Sequence, residues 1–383
     1  MVTRTDSYEY NKFHVRYKTL SAIRRVCRYW NRVAVNLSRL WTRVAIDATR
    51  QRIPAPHYVQ DWLQRSGDQM PIQILLALPN GNNSSSNRSG HLNAIFDLLA
   101  LYMPRWEELW FYSEVGLEFF PRNLSMARNL TKLTIDAGFL DEGAVKELEP
   151  GFKVFPGALR DVDLSVVTFD WIHSWLVQCE VDLDRLERLQ MSYEGWMQGV
   201  LDLLDQSQDT LVSAQIHAEG QWSLYDDYHT FSSNTERISM SRLRSIHLDI
   251  WDANLDIFNY LHTGNLMFLD VSVHWSNIES PEARDMTPLL EFIDRGPPVL
   301  ELCRVRIEKY RSYWPRVFFR SQILAQLHTY EICGVQLSAD VRQAVLSSAS
   351  RAIRNRLTYV REDTPGYCTV GWARFARGNP FPL

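Results

Sequence analysis

The sequence is short of the features that staple, anchor or catalyse. Its 383 residues include only 5 cysteines, at Cys27, Cys179, Cys303, Cys333 and Cys368. Their odd number and wide scatter argue against a secreted disulfide framework, and with no C-x-x-C pair there is no zinc-type spacing. A reducing compartment is expected, cytoplasmic and/or nuclear. No apolar run approaches the roughly 18 residues of a membrane span, and the first residues are polar and charged where a signal peptide is apolar. The N-x-S/T patterns at Asn36, Asn82, Asn83, Asn87, Asn123 and Asn129 therefore read as chance, since they mean glycosylation only in a secreted chain. H-E-x-x-H, G-x-S-x-G, G-x-G-x-x-G after a strand and kinase phrases are all absent. The polar stretch from Pro79 to Gly90 reads as a loop, and it has neither the lysine nor the spacing of a phosphate loop. These absences lead to the expectation of a non-enzyme with no cofactor, no metal, no small-molecule substrate and no membrane.

Charge is unevenly spread. The net charge of -4 combines about +9 over residues 1–52, about -17 over 53–350 and about +4 over 351–383. A basic N-terminus suits nucleic acid or an acidic protein, but an acidic body would repel phosphate, so nucleic acid is the disfavoured partner.

What the sequence does have is a recurring phrase, L-x-x-L-x-L. It begins at Trp106, Leu130, Leu159, Leu186, Leu211, Leu243, Leu266, Leu300 and Leu327, at steps of 23 to 34 residues. Such steps sit in or just above the range of leucine-rich repeats. The second apolar slot is filled imperfectly by Ala214, Cys303 and Tyr330. Between the phrases lie stretches of helical period, Trp171 to Gln178, Trp196 to Asp205, Leu255 to Leu261, Thr287 to Ile293 and Ala339 to Ser347. Thr287 before Pro288 is a plausible helix start. A strand followed by a helix, repeated, gives a parallel sheet whose units bury one another's apolar edges. The ninth slot holds Gly138, Val167, Glu194, Trp251 and His274, so no asparagine ladder is expected there.

Strand side chains alternate, so the residues between the apolar slots share one face. On it fall Trp110, Asp136, Asp161, Asp163, Arg188, His217, His247, Asp249, Asp270, Arg304 and Arg306, with Lys132, Gln190, Gln215 and Glu331. That face is expected to recognise a target protein, and its carboxylates suit a basic patch.

At the N-terminus, Leu20, Ile23, Val26, Cys27, Trp30, Val33 and Ala34 fall at steps of three and four, predicting one apolar stripe on a helix opposite Arg24, Arg25, Arg28 and Arg32. The order V-C-R-Y-W-N-R-V-A followed by R-L-W-T-R-V resembles the second half of the F-box-like domain of fungal, basidiomycete-type F-box proteins. The stretch Trp62-Leu63-Gln64-Arg65-Ser66-Gly67-Asp68 with Pro71-Ile72-Gln73-Ile74 continues the resemblance, which extends in weaker form through the repeats. The front departs from the family, because nothing in residues 1–19 matches its Leu-Pro-x-Glu opening. A shortened reading of the chain, a diverged helix and loss of ligase binding are the alternatives.

The resemblance implies a fold of class α/β: a small N-terminal helical F-box-like segment followed by an irregular leucine-rich-repeat solenoid, a curved parallel sheet with outer helices. The expected segments are 1–50 F-box-like, 51–104 connecting with a loop at 79–90, 105–360 repeats and 361–383 tail. It further implies a substrate receptor of an SCF-type cullin-RING ubiquitin ligase. Leu20, Ile23, Val26, Cys27, Trp30, Leu40 and Trp41 would dock the adaptor protein, although core packing is the better expectation for Trp30 and Trp41. The alternative is a repeat scaffold without a ligase.

Overall fold

The computed structural model describes residues 19–49, 53–78, 86–113, 124, 126–137, 158–165, 183–194, 197–219, 237–251, 255, 257–274, 287–295, 300–308, 329–336, 359–364 and 367–373. The chain divides into two compact units, Met1–Arg185 and Leu186–Leu383. Each is an α/β unit built on a parallel sheet. The helical stretches expected at Trp171 to Gln178 and Ala339 to Ser347 lie outside the described residues.

In the Met1–Arg185 unit, residues 19–26 form α1 and Arg28–Asn36 form α2. The two are separated by Cys27, whose backbone is extended at φ -163 and ψ 172. The apolar stripe expected over one continuous helix is therefore broken at its middle. Leu20 and Ala34 are buried together with Trp41, and Ile23, Val35 and Trp62 pack against that cluster. A short 3-10 turn, Ser38–Trp41, leads into β1, Arg43–Asp47. Next come α3, Pro56–Arg65, and β2, Ile72–Leu78. Helix α4 spans Ser86–Leu101, so the loop expected over 79–90 has already given way to helix at residue 86. Strands β3, Trp106–Ser113, β4, Lys132–Ala137, and β5, Asp161–Ser165, complete the unit.

All five strands run parallel in the order β1-β2-β3-β4-β5. Their register equates the fourth slot of each phrase, Leu109 with Leu133 and Leu133 with Val162, and the sixth, Phe111 with Ile135 and Ile135 with Leu164. The same register reaches back to phrases not recognised in the sequence. Ile74 pairs Leu109 and Val44 pairs Ile74, so Trp41-x-x-Val44-x-Ile46 and Ile74-x-Leu76 stand in phrase positions, while a one-residue shift in β2 sets the buried Ile72 opposite Trp106. Segments read from sequence as helical and connecting thus each contribute a strand to this sheet.

The stretch from Trp62 to Asp68 has a local physical cause. Helix α3 ends at Ser66, whose buried hydroxyl donates to Leu63 O at 2.6 Å and accepts from Arg105 Nη2 at 2.7 Å. Gly67 follows at φ +72, the left-handed backbone that stops a helix and strains residues with a Cβ.

In the Leu186–Leu383 unit, β6, Arg188–Glu194, precedes α5, Met197–Gln206, and β7, Ser213–Glu219. The two-residue strands β8, Ile238–Ser239, and β10, Leu261–His262, pair with each other. Strand β9 is Ser245–Trp251, and α6, Ile257–Tyr260, follows it. Strand β11 is Phe268–His274, α7 is Thr287–Asp294 and β12 is Leu302–Glu308. Helices α6 and α7 meet through Phe258 and Phe292, ring centroids 5.1 Å apart. Strand β13, Thr329–Gln336, ends the parallel run. Strands β14, Tyr359–Thr364, and β15, Tyr367–Ala373, form an antiparallel hairpin, with β15 paired to β13. The segment read as a tail from 361 therefore holds most of a sheet-edge hairpin.

In this unit the phrases align without a slip, whereas in the first the β2–β3 register shifts by one residue after Ile72. Leu189, Ala214, Ile246, Leu269, Cys303 and Tyr330 form one row, and Met191, Ile216, Leu248, Val271, Val305 and Ile332 the next. The described first, fourth and sixth slots are buried. Second-slot residues add a backbone ladder: Val212 N donates to Glu187 O, Arg244 N to Val212 O and Met267 N to Arg244 O, each at 2.8 Å. Satisfied backbone groups are what let such a stack bury its strand starts. Asparagine also links repeats, but one residue before the phrase rather than at its ninth slot. Asn265 Nδ2 donates to Ser241 O at 2.6 Å, and in the first unit Asn129 Nδ2 donates to Pro104 O at 2.8 Å.

Candidate functional site

The alternation rule places the fifth- and seventh-slot residues of each unit on one side of its sheet. In the second unit the fifth-slot row reads Gln190, Gln215, His247, Asp270, Arg304 and Glu331, and the seventh-slot row Ser192, His217, Asp249, Ser272 and Arg306. Neighbouring strands bring carboxylates against imidazoles and one guanidinium across both rows. Asp249 Oδ2 accepts from His217 Nδ1 at 2.8 Å, and Asp249 Oδ1 lies 2.8 Å from His274 Nε2. Asp270 Oδ2 lies 3.4 Å from both His247 Nδ1 and Arg304 Nη1.

Asp249 and Asp270, expected on a face that suits a basic patch, are held by these contacts within the sheet face. The Asp270 side chain is only 2% exposed and is held by a cation on one side and an imidazole on the other. Burial alone would raise the Asp249 carboxyl, but hydrogen bonds and charge from His217 and His274 outweigh it and hold the group well below the usual carboxylate range. Beneath this network, burial first and the Asp270 charge second push the Cys303 thiol well above its ordinary value, so it is inert core. The face presents imidazole edges, the amides of Gln190 and Gln215 and the exposed Arg188. Of Arg306 only the strand position is described.

His274 is the member of this network that the phrase did not single out as a contact residue. It stands at the ninth slot, two residues beyond Ser272 in the same alternation, and that parity was the available signal.

The first unit differs. Trp110, expected on the solvated face, is 3% exposed and buried with Leu75 and Ala77, with Tyr112 packed against them. The parity was right, but large apolar side chains at Leu75 and Trp110 on neighbouring strands cover each other. Lys132 Nζ lies 3.6 Å from Asp161 Oδ2 and 5.9 Å from the centroid of the Trp110 ring. Asp136 and Asp163 are half-buried.

The adaptor candidates separate into two groups. Leu20 and Trp41 are core, Trp41 at 1% exposed, and Ile23 is half-buried. Trp41 Nε1 donates to Ala34 O at 2.7 Å, and its ring meets Trp62 edge to face at 4.8 Å. The Arg65 guanidinium carbon lies 4.8 Å from the Trp41 ring centroid, near enough for a cation–π contact. Val26 at 69%, Trp30 at 48% and Leu40 are exposed, as are Tyr29, Leu37 and Cys27. Core packing is thus the fate of Trp41 and not of Trp30.

Among the described residues no group of three His, Cys, Asp or Glu is arranged to hold a metal ion, and no helix is long and apolar enough to cross a membrane. No protein-family model matches the sequence, and comparison with curated proteins finds no match. Fold and site together define an α/β protein of repeated, in-register parallel strands with a polar histidine–carboxylate face.

Proposed function

We propose that this chain is a non-enzymatic substrate receptor of an SCF-type cullin-RING ubiquitin ligase, with a leucine-rich-repeat-like solenoid behind an F-box-like segment. In this reading the N-terminal helices hold the adaptor, the repeat face holds the protein to be ubiquitinated, and the chain works in the cytoplasm or nucleus. The observation that carries it is the exposed apolar group Val26, Tyr29, Trp30, Leu37 and Leu40 on α1, α2 and the turn after them. Large apolar side chains left exposed along one short segment favour a protein contact, and tyrosine and tryptophan are favoured anchors. These residues fall within the stretch that resembles the F-box-like family.

The test is affinity purification of the full chain from its native cell, followed by mass spectrometry. Cullin and adaptor peptides are expected with the wild type and lost with Val26→Ala/Tyr29→Ala/Trp30→Ala, whose replaced side chains are exposed and whose folding a thermal melt checks. A wild type that captures neither defeats the ligase reading.

A second reading, a repeat scaffold with no ligase, is favoured by the pairing of β1 with β2 in phrase register. That pairing suits a segment serving as the first turn of the array rather than as a separate docking domain.

A further inference from the structure

In the Met1–Arg185 unit the parallel sheet ends at β1, which pairs with β2 on one side and, among the described residues, with no strand on the other. Two hydrogen bonds fix which backbone groups face which way. Gln73 N donates to Thr42 O at 2.8 Å, and Ala48 N donates to Ala77 O at 2.7 Å. Backbone groups of a strand alternate in direction, so residues 42, 44, 46 and 48 turn theirs to β2, and residues 43, 45 and 47 turn theirs outward. Ala45, in the middle of β1, is exposed. Its N–H and C=O therefore stand where an added strand would pair.

A pocket of about 320 Å³ borders this edge. Arg43, Val44, Ala45 and Ile46 all line it, and consecutive strand residues point to opposite faces, so it runs along the side of β1 rather than over one face. Leu20 of α1 and Val59 of α3 give it buried apolar walls beside Val44 and Ile46. A small apolar ligand would use the walls and leave the edge unpaired. An extended peptide uses both, with main-chain bonds to Ala45 and alternate side chains in the apolar walls. Charge narrows the class. Residues 19–49 hold six arginines against one aspartate, and Arg25, Arg28, Arg32 and Arg39 are exposed. Their summed field favours a segment whose other alternate side chains are acidic, without requiring that any one arginine touch it. The shortness of β1 and the charged Arg43 and Asp47 at its ends disfavour indiscriminate stacking of edges. We propose that the outer edge of β1 binds an extended peptide segment of alternating apolar and acidic residues. The segment adds as a further strand beside Ala45, with its apolar side chains against Leu20, Val44, Ile46 and Val59. The site goes beyond the ligase reading and does not rest on it.

The experiment is fluorescence anisotropy of the full-length protein with a short labelled peptide of alternating valine and glutamate. Its counterparts carry lysine for glutamate, or N-methyl groups on one or the other alternate set of residues. The valine–glutamate peptide is expected to bind saturably, and the lysine peptide about tenfold or more weakly. N-methylation of the set that faces β1 is expected to weaken binding about tenfold or more, and of the other set to leave it unchanged, because an added strand offers β1 only one edge. Ala45→Pro removes the central N–H at an edge position where proline is tolerated, and is expected to lose the peptide with the thermal melt retained. If that variant fails to fold, the two N-methyl sets still decide the matter on wild-type protein. Absence of saturable binding by folded protein overturns the proposal, and so does equal affinity for the lysine peptide or an equal response to the two N-methyl sets. Self-association that Ala45→Pro removes, without peptide binding, would give the edge to a second copy and overturn it as well.

Discussion

His217 Nδ1 stands 2.8 Å from Asp249 Oδ2, one strand over in the same seventh-slot row. The contact exists because phrases 32 residues apart, from Leu211 and Leu243, are laid in register by their apolar slots. Neither residue is near the other in sequence, and no turn joins them. Packing of Ile216 on Leu248 brings the pair together, so the polar face is a product of the core's register.

That pair makes stability depend on acidity. The Asp249 carboxyl is depressed when folded, so its contribution is fully present above the unfolded carboxylate value of about 3.9 and is lost as pH falls below it toward the folded value. Asp249→Asn should therefore be less stable than wild type at pH 7, with the gap narrowing at pH 3. Urea unfolding at both pH values checks this, and a gap that widens in acid contradicts it.

The second prediction concerns Asp270, which carries a charge almost fully out of water. Replacing Arg304 with Met leaves that charge without its cation and should cost about 2–4 kcal/mol, near the range measured for broken buried pairs. The double change Arg304→Met/Asp270→Leu should recover much of the loss, because two apolar groups need no partner. Denaturant midpoints of the two singles and the double close the cycle. Additive losses would mean that the 3.4 Å contact carries no coupling.

A third test asks whether alternation rules within one strand. Ile246 is wholly buried and His247 half-exposed against Asp270. Ile246→Asp should unfold the unit, since an unpaired buried charge costs several kcal/mol out of about 5–15. His247→Gln keeps a polar group toward Asp270 and should cost about 1 kcal/mol or less. His247→Asp is not a neutral probe, because it would set one carboxylate against another. Similar losses in Ile246→Asp and His247→Gln would refute the register.

Much of this architecture was legible in the sequence because the apolar slots decide the register, and nine phrases repeat them. What escaped has identifiable causes. Strand β2 breaks the spacing of the phrase, because a one-residue shift sets Ile72 opposite Trp106, and β1, with Trp41 in the first slot, lies inside a segment whose apolar pattern reads as helical. The N-terminal stripe was counted across Cys27, where extended backbone resets the helical phase. Slot parity placed Trp110 on the correct side but could not say that Leu75 and Ala77 bury it there. For the charged rows, parity named the face, but only cross-strand distances reveal that Asp161, Asp249 and Asp270 are contacted from within it.

The last prediction sets two tryptophans of the N-terminal segment apart. Trp41 fills the cluster of Leu20 and Ala34, donates its indole hydrogen to Ala34 O and stacks edge-on against Trp62. Its truncation removes a large buried ring and leaves both a cavity and an unpaired carbonyl, so Trp41→Ala should cost about 3–5 kcal/mol. Trp41→Phe keeps most of the volume but loses the hydrogen bond and should cost about 1–2 kcal/mol. Trp30, nearly half-exposed and in edge contact with Tyr29 at 6.0 Å, has little packing to lose, so Trp30→Ala should change stability by about half a kcal/mol at most. If the exposed group docks a partner, Trp30→Ala should weaken that capture with the melt unchanged, while Trp41→Ala should lower both. Differential scanning calorimetry beside a pulldown reads the two quantities separately. A Trp30→Ala protein that melts as early as Trp41→Ala would mean that Trp30 is core, and the docking surface would have to be sought elsewhere.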